Sequence, residues 1–333
     1  MSAGQLWSVN SLGGFLYALN LSDELRDSVQ PMTKFRQLCD VKDASMQGMN
    51  KGQSFTWDVV SNVATRGRVL TETNTMPETN FTIIQGTLTI TEAGNSVPYS
   101  GKLEALAKMS VRKPVMKALR NDAAKVFDIL AHAQFNATLL RYTHDGAASS
   151  GTYTLVTTGT ATTSNTRAWD VGDSRAMANL MKERNIPAYT GDDYYAIAWP
   201  SSLRKLKNYL ETLFQYTERG IGMVMNGERG RYENTRYIEQ TNIPKGGAVD
   251  STTWDPYTDT ADPWNGGGDW LFFCGEDTVA EAINTPEEIR AKIPTDFGRS
   301  KGVAWYYLGG FGIVHYSTSD PAQVRVIKVD SSA

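Results

Sequence analysis

Two stretches of strict alternation dominate the first hundred residues. In Ser54-Phe-Thr-Trp-Asp-Val59 the residues Phe55, Trp57 and Val59 alternate with polar ones, and in Thr87-Leu-Thr-Ile-Thr91 so do Leu88 and Ile90. A two-residue period marks half-buried strands. Between them lies a polar bend, from Thr65-Arg-Gly-Arg68 to Pro77-Glu-Thr-Asn80. Two long strands around such a bend make an antiparallel hairpin, and an isolated hairpin is marginal in water. The chain must therefore lay this hairpin on a surface, in its own body or in another molecule.

The flanking segments fall into blocks. Residues 1 to about 50 scatter their apolar side chains (Leu6, Trp7, Phe15, Leu16, Leu19) and read as an arm, with a short helix from Ser22 to Val29 stopped by Pro31. Residues 100–142 read as helix. Ser100 caps a first short helix, and Pro114 opens a second, where its missing N–H costs nothing. After it Met116, Leu119, Ala123, Val126, Phe127, Leu130, Ala137 and Leu140 form one apolar stripe, with the stop at His144-Asp-Gly146. Such a helix, over 114–143, would be about 45 Å long. Residues 147–168 are rich in Ser, Thr, Gly and Ala and read as a connection with one strand, Tyr153–Val156.

Residues 169–290 read as an α/β unit. Asp173 or Ser174 starts a helix carrying Met177, Leu180 and Met181, ended by Asn185 and Pro187. Tyr194–Trp199 is a strand, and Pro200-Ser-Ser202 opens a helix carrying Leu203, Leu206, Leu210 and Leu213. A Gly-rich loop from Arg219 to Gly230 follows, then a strand Thr235–Ile243, a long insertion over 244–268 and a strand Leu271–Cys274. Two strands close the chain, Val303–Tyr316 and a second running to Val329.

Bulk properties narrow the function. The 33 basic and 36 acidic residues give a net charge of −3, without the basic excess of a dedicated duplex-DNA binder. Any nucleic-acid contact should be weak or local. Two distant cysteines, Cys39 and Cys274, rule out a disulfide framework and suit a reducing compartment. The N-terminal residues lack the pattern of a signal peptide, and no run approaches the roughly 20 apolar residues of a membrane helix. The sequence thus reads as a soluble intracellular product, in which the Asn20, Asn80 and Asn136 sequons carry no sugar.

A search for catalytic chemistry finds no signature. His132, His144 and His315 share no metal-ligand spacing, and structural roles are expected for each. Gly220, Gly222, Gly227 and Gly230 have the wrong spacing for a dinucleotide loop, and they follow a helix and precede a strand. A loop tip for protein contact fits better. The acidic pairs Asp192-Asp193 and Glu287-Glu288 sit where acids cap helices or face solvent. Lys102, Lys108, Arg112, Lys113, Lys117, Arg120 and Lys125 outnumber Glu104 and Asp122 along the first helical stretch. That run reads as a solvated face with intersubunit salt bridges, the preferred reading, or as a surface that meets DNA.

The order of arm, hairpin, long helix, α/β unit and return strands resembles the Hong-Kong-97 capsid fold of tailed-phage major capsid proteins. Gln30-Pro-Met-Thr-Lys-Phe-Arg-Gln37 and Lys51-Gly-Gln-Ser-Phe-Thr-Trp57 resemble the arm-to-hairpin junction of one subgroup. Lys113-Pro-Val-Met-Lys-Ala-Leu-Arg-Asn-Asp-Ala-Ala-Lys125 resembles its spine helix. Asn226-Gly-Glu-Arg-Gly-Arg-Tyr232, Arg236-Tyr-Ile-Glu-Gln-Thr-Asn242 and Gly298-Arg-Ser-Lys-Gly-Val-Ala-Trp305 resemble its central loop and strand and its final return strand.

The resemblance implies an α+β fold with an N-terminal arm (1–51), an extended hairpin loop (52–98), a peripheral domain with the spine helix (99–168), an α/β axial domain (169–295) and return strands (296–333). It implies a structural protein rather than an enzyme, forming pentamers and hexamers of an icosahedral head. No cofactor, metal or membrane is implied. Candidate inter-subunit residues are Phe55, Trp57, Arg66, Arg68 and Phe81 on the hairpin, and Arg219, Met223, Met225, Arg229 and Arg231 at the axial tip. Implied partners are further copies of the chain, a separate scaffolding protein (the arm being short), a portal protein, a decoration protein and, weakly, packaged double-stranded DNA. An encapsulin-like cellular compartment of the same fold is the alternative. A third reading is an enzyme with a site beneath the 244–268 loop, which the scarcity of histidine opposes.

Overall fold

The longest helix organises the molecule. The computed structural model describes residues 30, 32–44, 54–60, 67–72, 75–81, 83–107, 109–144, 153–159, 168–214, 231–243, 248–249, 256–257, 269–294, 296–316 and 323–331. The expected arm helix (Ser22–Val29) and the Gly-rich loop lie outside these residues. In chain order the strands are β1 (Asp40–Asp43), β2 (Ser54–Val60), β3 (Ile83–Thr89), β4 (Thr91–Ser100), β5 (Leu140–His144), β6 (Tyr153–Val156), β7 (Tyr194–Ala198), β8 (Arg231–Tyr232), β9 (Thr235–Glu239), β10 (Ala248–Val249), β11 (Pro256–Tyr257), β12 (Asp269–Cys274), β13 (Val279–Ala291), β14 (Ser300–Ile313) and β15 (Val326–Ser331). The helices are α1 (Gly101–Leu106), α2 (Arg112–Asn136), α3 (Val171–Glu183) and α4 (Arg204–Phe214).

Helix α2, about 37 Å long, is shorter than the expected 114–143. Its 25 residues begin at Arg112, which puts Pro114 third. Proline is tolerated there because the first four N–H groups of a helix have no partner within it. The helix stops at Asn136 because Leu140 and Tyr142 are taken by a sheet: β5 pairs with β15 and β6. Thr138 marks the switch, its hydroxyl donating to the Val326 carbonyl at 2.5 Å. His144 therefore ends a strand, not a helix.

Two sheets carry the body. A four-stranded sheet runs β1-β13-β14-β4, and a seven-stranded one runs β6-β5-β15-β12-β7-β9-β8. Residues 279–291, expected within the α/β unit, instead form β13 of the four-stranded sheet, antiparallel to β14. Strand β12 joins the two cores by alternation. Trp270, Phe272 and Cys274 face the core shared with α2 and β14, while Leu271 and Phe273 face the core under α3 and α4. Period-two alternation puts successive side chains on opposite faces.

Helix α2 lays Val115, Leu119, Ala123 and Phe127 on β14. The Phe127 ring meets Tyr307 edge-on at 4.7 Å. Helix α3 starts three residues earlier than expected. Asp170 caps it, and Asp173 returns a bond to the cap backbone, a reciprocal capping box. Helix α4 begins at Arg204, after a turn closed by Ser202 N–H donating to the Trp199 carbonyl. Strand β9 ends at Glu239, because Gln240 turns the chain by accepting from the Asn242 and Ile243 N–H groups.

Candidate assembly surface

The hairpin forms in the register its alternation dictates. Strands β2 and β3 pair antiparallel from Ser54↔Thr89 to Val60↔Ile83. Phe55, Trp57 and Val59 share one face with Ile84, Gly86 and Leu88, and that face is half-buried to buried. Residues 91–98, expected in the hairpin, leave it as β4 and pair with β14.

The base of the hairpin sits on its own chain. Leu88 is buried with Ala44 and Ala282, and Phe55, Trp57 and Ile90 pack around them. Trp57 Nε1–H donates to the Val314 carbonyl at 2.9 Å. Glycine makes this approach feasible: a Cβ on Gly86 would lie 2.3 Å from Trp57 Nε1, and one on Gly312 would lie 2.7 Å from Leu88 Cβ. Two clefts flank the seated strands. One of about 560 Å³ runs between Leu88, Leu130 and Gln134 of α2, and Gly310. The other, of about 460 Å³, runs between Phe55, Trp57, Asp277, His315 and Arg325.

The far end is uncovered. Val60 and Ile83, directly opposite each other, are 64% and 54% exposed, and Phe81 is 61% exposed. Val69 and Met76, in the bend, are exposed too. A second uncovered apolar site lies between β13 and β14, where Ile293 is exposed and Phe297 completely so. Asp296, Phe297 and Gly298 all have positive φ (54°, 51° and 87°). A left-handed aromatic residue is strained, so the backbone holds Phe297 outward at a cost.

The candidate residues divide accordingly. Phe81 and Arg68 are exposed. Phe55 and Trp57 face inward, so Trp57 serves the chain's own sheet first. Arg231 is half-exposed and bonds the buried Asp193 at 2.6 Å, alongside Arg236 at 2.8 Å. Arg236 and Arg231 hold the Asp193 carboxyl below the usual carboxylate range. Arg66, Arg219, Met223, Met225 and Arg229 lie outside the described residues. Ile293 and Phe297 escaped sequence reasoning, because an isolated Phe-Gly in a turn carries no periodic signal.

Also unread in the sequence was the lock where the arm meets α2. Phe35 is fully buried among His132, Phe135, Trp270 and Phe272. Its N–H donates to Asp128 Oδ1 at 2.7 Å, and Asn242 Nδ2–H donates to Oδ2 at 3.1 Å. Burial pushes the Asp128 carboxyl up to about 6, against the pull of these donors. Arg36 places its guanidinium 4.2 Å above the Phe127 ring and bonds Glu281 at 2.8 Å and Glu287 at 3.1 Å. Glu281, wholly buried, also accepts from the Tyr307 hydroxyl at 3.0 Å. Burial pushes His132 down to about 3, helped by Lys328, and both ring nitrogens lack a partner among the described residues. His315 Nε2 lies 3.0 Å from Asp277 Oδ2.

Comparison with solved structures places this architecture. A capsid structure of Helicobacter pylori bacteriophage KHP30 matches with a TM-score of 0.69 at 14% identity, covering 100% of each chain. The head structure of Helicobacter pylori bacteriophage KHP40 matches with a TM-score of 0.68 at 16% identity, covering 94% of this chain and 95% of that one. The fold is that of phage capsid proteins. A capsid structure of cyanophage P-SCSP1u agrees, with a TM-score of 0.64 at 14% identity over 96% of this chain and 93% of that one. No protein-family description and no curated protein sequence matches the chain. At such identities the capsid likeness is one of architecture.

Proposed function

We propose that this chain is a phage major capsid protein, a structural protein that assembles with copies of itself into the pentamers and hexamers of an icosahedral head. The observation that carries the reading is the exposed far end of the hairpin, on a fold shared with capsid proteins over nearly the whole chain. Apolar surface at Phe81, Val60 and Ile83 gains when a neighbouring copy covers it, at ~2 kcal/mol for each large side chain fully buried. Ile293 and Phe297 give a second such contact. Head-to-tail contacts of this kind close into rings when the rotation permits.

In this reading α2 is the spine of a peripheral domain that includes the four-stranded sheet. The seven-stranded sheet with α3 and α4 forms the axial domain. The Gly-rich loop with Arg219, Met223, Met225 and Arg229 points toward the capsomer centre. Scaffolding and portal proteins, and a decoration protein, are the proposed partners. Electron microscopy of the purified full-length protein tests the reading. Closed shells of uniform diameter are expected, and a protein that stays monomeric at every concentration would refute it.

A further inference from the structure

Four segments of the chain meet at the Asp277 carboxyl. Asp277 stands in the turn that leads into β13, with a positive φ of 53°. Its Oδ2 lies 3.0 Å from Nε2 of His315, just past β14, and 3.9 Å from Nη1 of Arg325, just before β15. The carboxyl of Asp40, the first residue of β1, bonds the same group. Lys42 and Glu276 also lie within electrostatic reach of Asp40, as does Tyr189. Arg325 Nη1–H donates to the Glu276 carbonyl at 3.0 Å. The His315 side chain is only 7% exposed, and its Nδ1 has no partner among the described residues.

The seat of the hairpin is built on the same segments. Strand β1 runs parallel to β13 from Asp40↔Ala280 to Asp43↔Ile283, and the Ala44 N–H donates to the Ile283 carbonyl at 2.8 Å. Ala44, fully buried, then packs with Ala282 under Leu88 of the hairpin. His315 follows Val314, whose carbonyl accepts from Trp57 and whose N–H donates to the Thr278 carbonyl at 3.0 Å. One end of β1 is therefore at the carboxyl pair and the other beneath the hairpin. The strand itself buries little. It is short, it lies at the edge of its sheet, and Val41, Lys42 and Asp43 are exposed.

Two carboxylates in contact repel, so such a pair keeps one proton between them. Burial pushes the Asp40 carboxyl up, Asp277 and Glu276 add to the push, and Lys42 opposes it. The bond from His315 holds Asp277 below the usual carboxylate range; Asp40 and Arg325 help, and burial opposes. The proton thus resides on Asp40, which donates it to Asp277. We propose that this shared proton is a latch on β1, which ties the arm to the seat of the hairpin in acidic medium and loosens both as pH rises. Asp40 titrates higher in the folded chain than in the unfolded one. Its contribution is therefore complete below the ordinary value of 3.8 and is lost as pH rises through the raised one. The latch belongs to the single chain and does not depend on shell formation.

Hydrogen exchange read by mass spectrometry tests the latch on full-length protein kept unassembled, with the intrinsic pH dependence of exchange divided out. In the parent, amide protection over residues 40–44 and 54–57 should fall from about pH 4 to about pH 8. In Asp40→Asn, whose amide donates to Asp277 at every pH, that fall should vanish. In Asp277→Asn the amide N–H donates to the Asp40 carboxylate while the amide oxygen still accepts from His315, so protection should instead rise with pH. Asp40→Ala lacks the bridge in both states and should show low protection throughout. Circular dichroism checks each fold, and either asparagine variant carries the test if the other misfolds. Parent protection that is flat with pH would overturn the proposal. So would an undiminished fall in Asp40→Asn, which would assign the titration to His315 or another group. Protection that changes over 40–44 alone, with 54–57 unmoved, would overturn the tie to the hairpin.

Discussion

His132 and Asp128 stand one turn apart on α2, and burial moves them in opposite directions. The unfolded histidine titrates near 6.5, the folded one at about 3. Between those values only the unfolded chain takes up the proton, so this histidine withdraws stability as pH falls from about 6.5 toward 3. The full span is worth roughly 5 kcal/mol. Asp128 acts oppositely: its carboxyl rises from 3.8 to about 6, so its contribution is present below about 3.8 and is lost as pH rises toward 6. A His132→Phe variant keeps the edge-on ring contact with Phe35 and removes two nitrogens that have no partner among the described residues. Its melting temperature should exceed that of the parent, with a gap that widens between pH 7 and pH 4.5; a gap independent of pH would contradict this. Arg36→Ala should cost ~3–5 kcal/mol in urea unfolding, because it strands the buried Glu281 carboxylate. A loss below about 1 kcal/mol would show that Tyr307 and water suffice.

At the scale of elements, the hairpin was the most legible part. Alternation at Phe55, Trp57 and Leu88 reproduces the observed register, since a slip of one residue would turn every apolar side chain outward. The division of labour along it was not legible. Trp57 and Phe81 look alike in sequence, yet Trp57 faces the sheet and Phe81 faces solvent. Only the close approach allowed at Gly86 and Gly312 separates them. The end of α2 was hidden for a related reason. The apolar stripe continues through Leu140, and it is pairing with the distant β15 that recruits this residue into a strand. Deleting residues 66–78 removes the bend and leaves the seated base. The deletion should melt within a few degrees of the parent and form no closed shells. Normal particles, or an unfolded chain, would contradict that division.

Among the described residues two large sheets carry the body, and their two cores meet at β12, with α2 along the four-stranded sheet and α3 and α4 packed on the other core. Local pattern identified many strands but missed β13 altogether, placing its residues in the α/β unit and Glu287-Glu288 in a turn or helix start, because this strand is fixed by pairing with β14 across a turn. The assembly surface was legible only as a need: a hairpin too exposed to stand alone. The structure meets half of that need within the chain, at Trp57 and Leu88, and leaves Val60, Phe81 and Ile83 uncovered. A density map of the purified particle, at a resolution that shows side chains, measures directly what covers them. A second copy of this chain should lie over Phe81 and Ile83. A particle in which both stay open to solvent, or fold back on their own subunit, would contradict the assembly role assigned to the hairpin.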